Sequence, residues 1–249
     1  RLRGPAPVIG AFVSLRDPGA VGLLATAGYG LVIIDREHGV MTAETAQALV
    51  TAAHARGVHA LVRVPEATRS AVQDALDGGA DGILVPGVES ADAAAQVADW
   101  CRYPPVGSRG LHGLTAGSDH ARVAGPALAA WANARVVVAV QVETRRGLER
   151  AREIAAAPGV DLVFHGPSDL AISLGIERGS PEARAAMLRI VDAARSAGVG
   201  FGTFAFGEAD GREAIEAGAQ LVVGGGDVGF VVGGASALAG SLRAAGANG

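Results

Sequence analysis

A (β/α)8 barrel is the fold the sequence predicts, because eight short Val-, Ile- and Leu-rich runs alternate with Ala-rich helical patterns to the end of its 249 residues. The runs are nearly continuously apolar, as strands are when helices cover both faces of a parallel sheet. Eight such units in about 250 residues is the size and count of this barrel. No Pro/Gly/Ser linker divides the chain, so one barrel domain over residues 1–249 is expected. A doubly wound open sheet is the alternative, but it usually needs fewer strands.

The first expected strand is VIGAFVSL (8–15), followed by LVIID (31–35), HALVRV (59–64) and GILVP (82–86). The second half supplies VVVAVQVE (136–143), VDLVFHG (160–166), VGFGTFAF (199–206) and QLVVGGGD (220–227). Helical patterns lie between, among them 42–57, 90–103 and 180–198, each opening on Ser or Thr, and two of them closing on Gly. One long irregular stretch, Pro104 to Gly125, precedes the fifth strand and reads as an insertion over one end of the barrel.

Composition removes whole classes of function. All 21 basic residues are arginine, so these 249 residues hold no lysine for Schiff-base chemistry or for a Walker-type phosphate loop. A net charge of −4 argues against nucleic acid as the main partner. No apolar run approaches the roughly 20 residues that span a bilayer, and the start lacks a signal-peptide pattern. One cysteine, Cys101, fits a reducing cytoplasm. The core must be aliphatic, since aromatic residues make up only 4%.

Active sites of such barrels lie at the C-terminal ends of the strands. Four ionisable residues, Asp35, Arg36, Glu37 and His38, crowd the end of the second strand. The third carries Arg63, the fifth ends in Gln141 and Glu143, and the sixth runs into His165, Ser168 and Asp169. Ser14, Arg16 and Asp227 close the first and last strands. Each has a structural alternative: Asp35 as a turn cap, His38 as a loop histidine, Arg63 in an ion pair, His165 and Asp227 as structural groups. A carboxylate in an apolar strand, as Glu143 is, needs a partner or a metal. Glu143 and Asp169 on adjacent strand ends repel unless a cation or shared proton relieves them. An oxygen-rich pair suits Mg²⁺ or Mn²⁺ acting as a Lewis acid on an α-keto acid. Arg63 is placed to hold a developing enolate oxygen, the turn at Ser168 and Asp169 to offer backbone N–H groups to a carboxylate, and His38, oriented by Asp35, to act as base.

With these residues in place, the chain resembles the HpcH/HpaI family of metal-dependent pyruvate aldolases. The matching segments are IIDREHG, LVRVP, ALDGGADGILVPGVES, RYPPVGSRG, VQVET and GVDLVFHGPSDLAISLG, in the family's order from Gly10 to about Asp227. The resemblance implies a barrel of the phosphoenolpyruvate/pyruvate type, with Glu143 and Asp169 as ligands of Mg²⁺ or Mn²⁺, Co²⁺ being a third candidate. It implies Arg63 and Gln141 near the keto and metal-bound groups, the Ser168–Asp169 amides at the pyruvate carboxylate, and His38 with Asp35 as the acid/base pair. It further implies a hexamer built as a trimer of dimers that exchange the Val228–Ala245 helix. The chain departs from the pattern at His165, where the family usually has an aliphatic residue, at Phe12, where it commonly has Trp, and after GSRG, where LHGLTAGSDH replaces an arginine-bearing segment on the aldehyde side.

The reaction so implied is reversible cleavage of a 4-hydroxy-2-oxo acid to pyruvate, or to an oxaloacetate-derived enolate, and an aldehyde. A related enolate-condensing enzyme, citrate-synthase-like or macrophomate-synthase-like, keeps the same central residues. A non-catalytic binding barrel is the third reading.

Overall fold

In the computed structural model, which describes residues 6–246, eight parallel strands close into a barrel in chain order. They are β1 (Val8–Val13), β2 (Leu31–Asp35), β3 (His59–Arg63), β4 (Gly82–Val85), β5 (Val137–Val142), β6 (Leu162–His165), β7 (Gly200–Phe204) and β8 (Leu221–Gly226). The helices of the first half are α1 (Pro18–Thr26), α2 (Ala43–Ala55), α3 (Arg69–Asp77), α4 (Ala91–Trp100) and α5 (Gly125–Asn133). Those of the second half are α6 (Arg145–Glu149), α7 (Ala151–Ala155), α8 (Pro167–Leu174), α9 (Pro181–Ala197), α10 (Glu208–Glu216) and α11 (Asp227–Gly246). The open-sheet alternative is excluded by the β1–β8 pairing. The ends of the expected 1–249 domain, residues 1–5 and 247–249, lie outside the described residues.

Every expected strand forms, most of them one or two residues shorter, because the strand tips leave the ladder to carry polar side chains. The continuous apolar runs resolve into two faces with a period of two. Leu31, Ile33, Leu61, Leu84, Ala139, Leu162, Phe164, Leu221 and Val223 fill the barrel interior. Their alternates, among them Val32, Ile34, Val62, Val140 and Val163, are buried beneath the helices. The caps read from sequence are made: Thr42, Ser90 and Ser180 accept from the amides of Thr45, Ala93 and Ala183. Gly198 closes α9 at a φ of 69° that L side chains rarely adopt.

Two expectations need correction. The Pro104–Gly125 insertion does not lie on the aldehyde side of the catalytic mouth of its own chain. A helix that follows a strand runs back to the barrel's N-terminal face, so whatever follows α4 is deposited there. Its anchors agree: buried Arg109 binds Asp77 at the end of α3 at 2.7 Å and lies over the Tyr103 ring, and the Ser108 hydroxyl meets Asp99 near the end of α4.

The second correction concerns apolar length. Among the described residues α11 is the one helix long and apolar enough, by length and composition alone, to cross a membrane. Its many Gly, Ala and Ser residues hide this in a reading that looks for Val, Ile and Leu. Val231, Val232, Leu238 and Leu242 on it are exposed in the single chain. At its start Asp227 is structural, accepting from the amides of Ser14, Leu15 and Val228 and so tying α11 to the tip of β1.

Candidate active site

The period of two decides which polar side chains reach the mouth. Asp35 shares the inward parity of Leu31 and Ile33, Arg63 that of Leu61, and Gln141 and Glu143 that of Ala139. The β2–β3 register sets Asp35 directly beside Arg63. Arg63 donates from Nε to Asp35 Oδ1 at 2.9 Å and from Nη2 to Oδ2 at 2.7 Å, a forked pair. Its Nη1 lies 3.1 Å from Glu37 Oε2, and the guanidinium sits over the Phe12 ring at 4.6 Å. Two carboxylates and an aromatic face therefore hold this cation in one place. Burial raises the Asp35 pKa, but the hydrogen bonds and charge of Arg63 outweigh it, so the carboxyl is held below its ordinary value.

Asp35 meets His38 differently from the expected side-chain pair. Its Oδ1 accepts from the backbone N–H groups of Glu37 (3.1 Å) and His38 (3.2 Å), and both carboxylate oxygens are engaged by Arg63. Asp35 thus shapes the loop that carries His38. The imidazole is largely exposed, with Nε2 at 3.7 Å from Glu37 Oε2. Glu37, read from sequence as a loop charge, belongs to the cluster. Its pKa is raised, by burial first and by the charges of Asp35 and Asp169, against the pull of Arg63 and His38. Only the crowding of ionisable residues after β2 marked it in the sequence.

On the other side of the mouth Glu143 is buried. Its Oε1 accepts from the Gly87 amide at 2.7 Å, and its Oε2 accepts from the Gln141 side-chain amide. Burial, with the charges of Glu37 and Asp169 adding, pushes its pKa up to about 7. Gly166 lets the strand-to-helix turn pass close over this pair: a Cβ there would lie 2.7 Å from Gln141 Nε2 and from Glu143 Oε2. Helix α8 opens with Pro167, which has no N–H, so the first free amides of its N-terminus are those of Ser168 and Asp169. Asp35, His38, Arg63, Gln141, Ser168 and Asp169 all line one cavity of about 290 Å³.

Among the described residues no three His, Cys, Asp or Glu side chains gather closely enough to hold a metal alone. A hard cation fits here with two carboxylates, completed by water and substrate oxygens. The chemistry of the mouth favours one: Glu143 faces other carboxylates at a cost in ionisation, and Gln141 Oε1 is a buried acceptor with no partner among the described residues.

Fold and mouth together define a (β/α)8 barrel with the layout of an enzyme active site, a fixed guanidinium, carboxylates and a histidine around one small cavity at the C-terminal strand ends. Comparison with known proteins narrows this. The profile of the HpcH/HpaI aldolase/citrate lyase family matches residues 8–233, and the chain belongs to that family. It is 38% identical over 230 residues to a hydroxypyruvate/pyruvate aldolase of Paraburkholderia phytofirmans, covering 89% of this chain and 88% of that one. A crystal structure of a family protein from Burkholderia cenocepacia superposes with a TM-score of 0.91 at 35% identity, covering 98% of this chain and 97% of the other. The citrate synthase SbnG superposes with a TM-score of 0.87 at 28% identity, over 97% of this chain and 95% of its own.

Proposed function

We propose that the chain is a metal-dependent aldolase that reversibly cleaves a 4-hydroxy-2-oxo acid to pyruvate, or to the equivalent enolate from oxaloacetate, and an aldehyde. The observation that carries this reading is Arg63, locked by Asp35, Glu37 and Phe12 and facing the same small cavity as His38, Gln141 and the α8 N-terminus. Glu143 and Asp169 would hold Mg²⁺ or Mn²⁺, or Co²⁺, with the unpartnered Gln141 Oε1 beside them. When bound, the cation supplies Lewis-acid polarisation of the 2-oxo group.

The remaining work falls to the chain's own residues. The amides of Ser168 and Asp169 bind the substrate carboxylate at a helix N-terminus. Two of the five N–H groups of Arg63 are hydrogen-bonded to Asp35 and Nη1 is held beside Glu37 as an ion pair, which leaves N–H groups for the C2 oxygen as negative charge develops there. His38 takes the proton from the C4 hydroxyl as the C3–C4 bond breaks, and Glu37 lies on the side where the imidazolium forms. Asp35 is the positioning residue for both His38 and Arg63. The Phe12, Phe164, Phe204 and Phe206 rings line the cavity and limit water.

Deuterium incorporation at the pyruvate methyl group in D₂O tests the reading, with Mg²⁺ or Mn²⁺ present and then with EDTA. Exchange that needs the metal is expected. No exchange with pyruvate, and none at C3 of oxaloacetate, would sink the enolate mechanism and leave a binding barrel. The second reading, an enolate-condensing enzyme, is favoured by the likeness to SbnG. Consumption of oxaloacetate with an acyl thioester but with no aldehyde would select it.

The assembly in this reading is a cytoplasmic homohexamer, a trimer of dimers exchanging α11. The exposed Val231, Val232, Leu238 and Leu242 give that helix an apolar surface to cover, and a second copy of the chain is the occupant proposed. Sedimentation velocity is expected to give a hexamer; a monomer across micromolar concentrations would refute it.

A further inference from the structure

A second cavity, of about 400 Å³, lies outside the barrel wall between β6, β7, α8 and α9. It shares Pro167, Phe204 and Phe206 with the catalytic mouth, but its floor is formed by side chains that point the other way. His165 has the outward parity of Val163, opposite to Phe164, and is only 5% exposed. Apart from its neighbour Thr203, the buried outer face around it on β6 and β7 is apolar, Val163 and Phe201, so a buried imidazole there needs an explanation.

Its hydrogen bonds identify which nitrogen is free. His165 Nδ1 lies 3.0 Å from Thr203 Oγ1, on the paired residue of β7. Thr203 Oγ1 also lies 3.3 Å from the Phe204 carbonyl, and the tautomer in which the hydroxyl proton goes to that carbonyl leaves the imidazole proton on Nδ1. Nε2 has no hydrogen-bond partner among the described residues, and in that tautomer it is an acceptor. Burial pushes the pKa down to about 4, so the ring is neutral at neutral pH and one of its nitrogens is an acceptor.

The walls and rim supply the other complements. Leu170, Leu174 and Met187 make an apolar middle. At the rim Arg178 stacks on the Phe206 ring at 3.3 Å and makes no ion pair among the described residues, whereas neighbouring Arg184 is taken by Glu213. Asp210 and Glu213 also line the cavity, which disfavours a dianion such as phosphate.

We propose that this cavity is a second small-molecule site, which takes a short aliphatic monocarboxylate bearing a hydroxyl or N–H donor at its far end. The donor binds His165 Nε2 at the floor, the chain fills the apolar middle, and the carboxylate meets Arg178 at the rim. The site is separate from the pyruvate mouth and does not depend on the aldolase reading.

The probes are 4-hydroxybutyrate and 6-hydroxyhexanoate, with hexanoate as the control without a donor and hexane-1,6-diol as the control without a carboxylate. Binding to the wild-type protein is followed by calorimetry, once alone and once with pyruvate and Mg²⁺ added. At least one hydroxy acid is expected to bind saturably and about tenfold more tightly than either control, the scale of one buried hydrogen bond. His165→Leu should cost about tenfold for the hydroxy acid and little for hexanoate, and Arg178→Gln should weaken both. Histidine ¹⁵N shifts of the free protein should show His165 protonated at Nδ1, with the Nε2 signal moving on binding. Four results would each overturn the proposal: no saturable binding of either hydroxy acid, equal affinity for hexanoate, displacement by pyruvate, or a proton on Nε2. Should His165→Leu fail to fold, Arg178→Gln and the wild-type ¹⁵N spectrum still decide.

Discussion

Arg63→Ala is expected to lower kcat/KM for aldol cleavage, and the rate of pyruvate methyl exchange, by about a thousandfold or more. Removing one preorganised donor from a developing oxyanion typically costs on the order of 10²–10³ in rate. Arg63 has N–H groups to spare for that oxygen, and among the described residues it is the one cation paired with the Asp35 carboxylate. The same change should destabilise the fold by about 3–5 kcal/mol, because it leaves the buried Asp35 without its cation and removes the charge beside Glu37. Arg63→Lys separates the two effects. It keeps a charge near Asp35 but cannot reproduce the fork from Nε and Nη2, so most of the stability should return while most of the activity does not. Urea unfolding and methyl exchange measured on the same two variants check this. Exchange within tenfold of wild type in folded Arg63→Ala would remove Arg63 from the chemistry. The pairing also sets an acid limit. Because the Asp35 pKa is lowered, its contribution is present above the unfolded carboxyl value and fades as pH falls through the folded one, so Arg63→Ala and wild type should converge in stability at strongly acid pH.

Much of this site is visible in the sequence once the period of two is followed along each strand. Leu31, Ile33 and Asp35 share a face, as do Leu61 and Arg63, and Ala139, Gln141 and Glu143, so the inward direction of the polar residues follows from the apolar ones beneath them. The same count turns His165 outward, away from the mouth. The place of the Pro104–Gly125 insertion also follows from chain direction, since a segment after a helix and before a strand belongs to the barrel's N-terminal face. What sequence could not supply were contacts set by loop conformation and by packing between distant segments. Glu37 joins Arg63 and His38 only because the turn after β2 folds its side chain back. Arg109 finds Asp77 across 32 positions, and Asp81 gathers His54, His59 and the Ala60 amide at the foot of the barrel. No periodicity encodes such pairs. The apolar character of α11 escapes a search for Val, Ile and Leu runs because it is carried by small residues interspersed with a few large ones.

Glu143→Gln should abolish metal-dependent exchange, with a loss of at least a thousandfold, yet make the metal-free protein more stable at neutral and alkaline pH. The two effects have one cause. Glu143 is buried among carboxylates, and its folded pKa of about 7 lies above its ordinary 4.5. Between those values the folded state binds more protons than the unfolded state, so stability falls as pH rises and levels off above about 7. The gap of roughly 2.5 pKa units corresponds to about 3 kcal/mol at most. Glutamine has nothing to ionise, so the variant's stability should lack this fall, and the two unfolding curves should diverge progressively from about pH 5 to pH 7. A divalent cation should reverse the order for the wild type, because metal binding requires the ionised carboxylate and releases its proton. Mg²⁺ or Mn²⁺ should therefore raise the wild-type Tm more at pH 8 than at pH 5.5 and leave Glu143→Gln nearly unchanged, which differential scanning calorimetry with and without EDTA would measure. An equal Tm gain in wild type and Glu143→Gln would mean that the cation binds elsewhere, and Glu143 would then lose its assigned role while Arg63 kept its own.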